Sequence, residues 1–186
     1  AESIARSYWF SFKFPVIVTR GNNVYGPHQY PEKIIPKFVR RLVNGKSCCI
    51  HGSGENYRHY IFVEDVADAF DTIMHSGVDG EIYNIGCDDE FTNLHVATKL
   101  IEAVHPECKD PAEHIEFVKD RPFNDTRYYI NSTKLHSLGW KPAVDFESGL
   151  KRTIEWYKAV ESEWWPVGTD SALAAHPTAS SAALRS

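Results

Sequence analysis

Short apolar runs alternate along this chain with stretches whose apolar residues recur every three or four positions. The first run, Val16-Ile17-Val18, has strand length and marks a strand over 14–19, after a helix over 1–12. A polar, proline-rich loop follows. It leads into a helix on which Ile35, Phe38 and Leu42 recur at helical spacing and which Asn44-Gly45 stops. Residues 47–51 form a second short strand, closed by the turn Gly52-Ser53-Gly54, and residues 57–63 a third. Glu64 and Asp65 stand where acids favour a helix start, and Val66, Phe70 and Ile73 supply that helix's apolar stripe as far as Ser76-Gly77. A strand over 81–86 is followed by a helix capped by Thr92 and striped with Val96, Ala97, Leu100, Ile101 and Val104. Residues 114–119 form another strand. Ser132 opens a short helix ending at Leu138-Gly139-Trp140, and Asp145 or Phe146 opens the last one, with Leu150, Ile154 and Tyr157 on one face. Strands alternating with helices define the α/β class.

Composition narrows the picture. The chain has 186 residues, 42% of them hydrophobic, enough for one domain with a real core. A formal net charge of −5 turns the reading away from nucleic acid and anionic membrane surfaces. No apolar run approaches the roughly 20 residues that span a bilayer, and the opening residues lack the pattern of a signal peptide. The four cysteines show no C-x-x-C spacing, and adjacent Cys48 and Cys49 on a strand point to opposite faces, which disfavours a disulfide framework and fits a reducing, cytoplasmic setting. Lys37, Arg40, Arg41 and Lys46 read as a solvated helix face. Beyond Trp164-Trp165 the chain is small, polar and rich in Ala and Ser, so the expected organisation is one folded part over 1–165 and a disordered tail over 166–186.

The candidate chemistry lies at strand ends and in loops. Asn23 offers an amide donor and acceptor just past the first strand, although an asparagine there also serves an unusual turn. Arg58 is a permanently charged fork suited to phosphate oxygens, with a surface ion pair to Glu55 or Glu64 as the plainer role. Arg121, stiffened by Pro122, offers a second such fork, and Asn124 lies in the same loop. Asn84 closes an apolar strand next to a glycine. His51 alone suggests acid–base or metal work, but no second ligand stands at zinc spacing. Cys48 and Cys49 suit small core positions better than nucleophilic ones. No glycine-rich dinucleotide turn and no Tyr-x-x-x-Lys occurs in the sequence.

The run Asn22-Asn23-Val24-Tyr25-Gly26-Pro27, with Tyr30-Pro31-Glu32-Lys33 and Asp120-Arg121-Pro122-Phe123-Asn124-Asp125, resembles the C-terminal half of dTDP-glucose 4,6-dehydratases, extended short-chain dehydrogenase/reductases, and of the dehydratase domain of plant UDP-rhamnose synthases. The resemblance covers residues 1 to about 165. It implies the last strands of an NAD-binding Rossmann-type sheet plus a small mixed α/β substrate domain. It implies substrate contacts from Asn23, Glu32, Lys33, Cys49, His51, Arg58, Asn84, Arg121 and Asn124, and a nicotinamide contact from Val24. Cys49 and His51 stand where the family commonly has proline and tyrosine framing the base, which leaves thymine against uracil open.

The implied reaction of a whole enzyme acts on dTDP-glucose or UDP-glucose. Hydride leaves the sugar C4 for bound NAD, water is lost across C5 and C6, and hydride returns to C6. The tyrosine base, its lysine and an Asp-Glu pair fall, by the family pattern, before Ala1, so these 186 residues are expected to supply the substrate clamp and one wall of the nicotinamide pocket, without turnover of their own. No catalytic residue and no metal ligand is assigned. The family relation also implies a homodimer for the full-length protein. The alternatives are a nucleotide-sugar epimerase or decarboxylase of the same fold, and a binding remnant without activity.

Overall fold

A helix with no fully buried residue opens the chain. This is α1 (Glu2–Phe12), in a computed structural model that describes residues 1–120, 122, 125–127, 129–164, 173 and 174. Lys13, in the left-handed region at φ 53°, ends it, and its amide donates to Trp9 O. Then come β1 (Val18–Gly21), β2 (Val24–Tyr25), α2 (Ile34–Val43), β3 (Cys48–His51), β4 (Tyr57–His59), β5 (Ile61–Phe62), α3 (Val63–Ser76), β6 (Ile82–Ile85), β7 (Glu90–Thr92) and α4 (Asn93–Val104). A 3-10 turn (Pro111–His114), β8 (Ile115–Val118), α5 (Thr133–His136) and α6 (Phe146–Trp164) complete the order. The α/β class stands.

The chain divides into two units. The first comprises Ala1–Val24, His59–Asp89 and Tyr129–Phe146. Here β1 and β6 run parallel, with Val18 opposite Ile82 and Arg20 opposite Asn84. A parallel pair needs cover on its faces, and the core of Val66, Ala69 and Ile73 from α3, Tyr83 and Ile85 from β6, Leu135 from α5, and Trp140 provides it. Asp65, 2% exposed, is the polar knot of this unit. Its carboxylate accepts the amides of Ala143 (2.9 Å) and Val144 (3.2 Å), while its carbonyl accepts Trp140 Nε1–H at 3.1 Å.

The second unit comprises the described residues of Tyr25–Arg58, Glu90–Tyr128 and Glu147–Ser186. β3 and β8 run parallel here, with Cys49 opposite Glu116 and His51 opposite Val118. Helices α2 and α4 pack on each other and on β3, burying Ile35, Phe38, Val39 and Leu42 against Val96, Ala97, Leu100 and Ile101. Thr92 caps α4 as expected, its hydroxyl accepting His95 N–H at 3.0 Å.

Several expectations shift. The strand expected over 14–19 lies at Val18–Gly21, and the one over 57–63 breaks into β4 and β5, with Val63 already helical. Phe70 is 46% exposed, because Val66, Ala69 and Ile73 set the buried phase of α3 and leave Phe70 on its flank. The basic cluster of α2 is not a solvated face. Arg40 is buried, Arg41 donates to Ser47 O at 2.5 Å and Leu173 O at 2.9 Å, and Lys37 donates to Ala174 O. Leu173 is itself buried, and apart from Leu173 and Ala174 the expected tail over 166–186 lies outside the described residues. Among the described residues no helix is long and apolar enough to cross a membrane.

Candidate substrate site

In the first unit the candidates gather at the carboxyl end of the parallel pair, the side on which open α/β sheets hold ligands. Asn22 is buried, and its Oδ1 accepts the Asn23 amide at 2.9 Å, which turns the chain out of β1. Asn23 then anchors across the chain. Its Nδ2 donates to His59 O at 3.1 Å, and its own carbonyl accepts Ile61 N–H at 3.2 Å. His59 is 3% exposed, and its Nδ1 donates to Cys87 O at 3.0 Å, the only role a carbonyl partner allows. Val24 is half-buried and packs on the core cluster with part of its apolar side chain outward. Asn84, register partner of Arg20, donates from Nδ2 to Asn131 O at 2.9 Å. This unit also holds a cavity of about 320 Å³ beside Asp65, lined by Tyr60, Cys87 and Val144 among others, and none of the expected site residues lines it.

In the second unit, Cys49 and His51 sit two apart on β3 and so share a face. Cys49 is buried, and Sγ reaches Glu116 Oε2 at 3.7 Å. Burial pushes its thiol above the ordinary range, against the pull of Arg41. This supports the packing role over the nucleophilic one. His51 donates from Nδ1 to Lys119 O at 3.2 Å, just beyond β8. Gly52, at φ +60°, follows; a Cβ there would stand 2.9 Å from Asp120 Oδ2, so the two strand ends close tightly on one another.

Arg58 lies on β4, and its Nη1 donates to Tyr57 O at 2.6 Å. Glu32 and Lys33 are exposed and pair with each other at 3.1 Å, on the loop that Tyr157 secures by donating its hydroxyl hydrogen to Gln29 O. Arg121 and Asn124 lie outside the described residues.

Sequence reasoning missed three neighbours of these candidates. Glu116 is placed beside Cys49 only by strand register. Asn56 donates from Nδ2 to Asp125 O at 3.1 Å, and Arg127 pairs with Glu90, both through contacts between distant segments. No local periodicity signals such pairings. Among the described residues no three His, Cys, Asp or Glu side chains gather as a metal site.

The chain is similar to several known proteins. Residues 1–153 match the family model described as GDP-mannose 4,6 dehydratase. The chain is 47% identical over 166 residues to the dTDP-D-glucose 4,6-dehydratase of Mus musculus, covering 88% of this chain and 47% of that protein. It is 45% identical over 177 residues to a trifunctional UDP-glucose 4,6-dehydratase, epimerase and reductase of Arabidopsis thaliana, covering 95% of this chain and 26% of that protein. Among solved structures, the dTDP-glucose 4,6-dehydratase of Bacillus anthracis in complex with NAD superposes with a TM-score of 0.80 at 40% identity, covering 88% of this chain and 51% of that one. The enzyme of Streptomyces venezuelae with NAD and TYD bound gives a TM-score of 0.81 at 34% identity, covering 88% and 50%. The chain thus spans about half the length of the dTDP-glucose dehydratases it matches. On its fold and its match over residues 1–153, the chain belongs to the sugar-nucleotide dehydratase family that the GDP-mannose 4,6 dehydratase model describes.

Proposed function

We propose that these residues form the substrate-binding half of an NAD-dependent nucleotide-sugar 4,6-dehydratase acting on dTDP-glucose or UDP-glucose. The observation that carries the reading is the 47% identity to a dTDP-D-glucose 4,6-dehydratase across 88% of the chain. The placement of Asn23, Asn84 and His51 towards or just past the carboxyl ends of parallel strands supports it.

Each candidate has a defined task. Asn23, held at Nδ2 by His59 O, orients the sugar, and Asn84 borders it. Cys49 and His51 frame the nucleobase. Arg58 and Arg121 neutralise the diphosphate, with Asn124 towards the nucleoside and Glu32 and Lys33 along the sugar and diphosphate. Val24 suits the nicotinamide wall, since its apolar side chain is partly open beside the end of β1. NAD, when bound, supplies the hydride acceptor and donor. This chain's residues bind and orient the substrate; its sequence offers no Tyr-x-x-x-Lys base.

The same reading puts the whole protein in the cytoplasm as a homodimer. The four free cysteines suit that compartment. Incubation of the native protein with dTDP-glucose and NAD tests the activity: loss of one water to a 4-keto-6-deoxy product supports the dehydratase. An epimer or a pentose sugar would replace it with the epimerase or decarboxylase reading, and binding without turnover would leave the remnant reading. The 186-residue chain alone is expected to give no product.

A further inference from the structure

We propose that the Glu90–Arg127 ion pair is a positioning device for Arg58; the inference rests on the reading of Arg58 as a diphosphate ligand. Arg127 Nε donates to Glu90 Oε1 at 2.7 Å, and Nη2 meets Oε2 at 2.7 Å. Two parallel bonds fix the plane of the guanidinium as well as its distance. The Glu90 side chain is only 14% exposed, so its carboxylate is a fixed post rather than a solvated arm.

Arg127 spends that fixed orientation on the strand that carries Arg58. Its guanidinium carbon lies 6.0 Å from the ring centroid of Tyr57, the residue before Arg58. The backbone around it converges on the same strand. Thr126 O accepts Tyr57 N–H at 2.9 Å, and Asp125 O accepts Asn56 Nδ2–H at 3.1 Å. From the opposite flank, Asn93 N–H donates to Asn56 O at 3.2 Å and Leu94 N–H to Gly54 O at 3.0 Å. Glu90 opens β7, the strand that pairs with β4.

Arginine is a long side chain, and a flexible base would spread its charge over many positions. β4 has three residues and cannot fix its own direction by length. Tyr57 and Arg58 point to opposite faces of it. Holding Tyr57 under Arg127 therefore sets where Arg58 emerges. The Arg127 end of the pair is 65% exposed, and a pair open to solvent on one side adds little to stability, so its consequence falls on ligand geometry.

The test is calorimetric titration of the 186-residue chain with dTDP and with thymidine. Wild type is expected to bind dTDP, and Arg58→Ala to lose most of that affinity. Arg127→Gln should weaken dTDP about tenfold while thymidine binding stays unchanged. Arg127→Lys, which keeps the charge and loses the fork, should fall between. The exchanged pair Glu90→Arg with Arg127→Glu should restore dTDP affinity to within about threefold of wild type.

Wild-type affinity in Arg127→Gln overturns the inference. So does an exchanged pair as weak as the single variant, which would make Arg127 a direct phosphate ligand. Loss of helical circular dichroism in Arg127→Gln and Arg127→Lys alike would make the pair structural and also overturn it. Equal dTDP affinity in wild type and Arg58→Ala, or no binding by wild type, would instead sink the reading of Arg58, and the positioning role with it.

Discussion

The side-chain amide of Asn23 donates to the main-chain carbonyl of His59 at 3.1 Å, and the His59 ring is held in turn by Cys87 O at 3.0 Å. A residue expected to touch the sugar is thus fixed from behind by a buried histidine 36 positions away. Asn23→Asp exchanges the donor for a carboxylate facing a carbonyl. It should lower stability by about 1–3 kcal/mol and reduce dTDP-glucose affinity at least as far as Asn23→Ala. Urea unfolding and titration of both variants check this, and an Asp variant as stable as wild type would contradict it.

Asp65 predicts a larger effect. Its carboxylate is the acceptor for the amides of Ala143 and Val144 inside a site only 2% exposed. Asp65→Ala strands both donors and should cost about 2–4 kcal/mol in urea unfolding. Asp65→Asn keeps one acceptor oxygen and should recover part of that loss.

Gly54 and Gly45 separate crowding from backbone strain. Gly54 has φ +76°, and a Cβ there would lie 2.6 Å from Ile50 Cγ2 and 3.2 Å from Leu94 Cβ. Gly54→Ala must push β3 from α4 and should cost about 2–4 kcal/mol. Gly45 has φ +67° with nothing within 4 Å, so Gly45→Ala should cost about 1–2 kcal/mol, the strain alone. Equal losses in the two variants would contradict the crowding.

Burial raises two thiols well above their ordinary value of 9.0: Cys48 is pushed up to about 12 and Cys87 to about 11. The folded state therefore holds these protons more tightly than the unfolded one. The associated stability is complete below about pH 9 and is lost as pH rises through the folded values. Unfolding midpoints should fall above about pH 9 more steeply in wild type than in Cys48→Ala. Parallel pH profiles would contradict this.

The local elements were legible because their signals are local. Ile35, Phe38 and Leu42 set the buried face of α2, Leu150, Ile154 and Tyr157 that of α6, and Thr92 caps α4, all within a few residues of the pattern that announces them. Phe70 fitted the same stripe rule and still lies exposed, since the rule gives a face and the neighbouring elements decide how wide that face is.

By itself, the sequence determined the α/β class, most of the helices, and the family that residues 1–153 match. Tertiary structure alone decided that β3 pairs with β8, which brings Glu116 to Cys49 across 67 positions, and that Glu90 reaches Arg127. It also turned Lys37 and Arg41 inward, where the carbonyls of Ala174, Ser47 and Leu173 accept from them, and buried Arg40 on the same helix. Helical and strand periods are written in neighbouring residues. Strand partners and ion pairs between remote residues depend on which distant segments close on one another, and no window of sequence contains both.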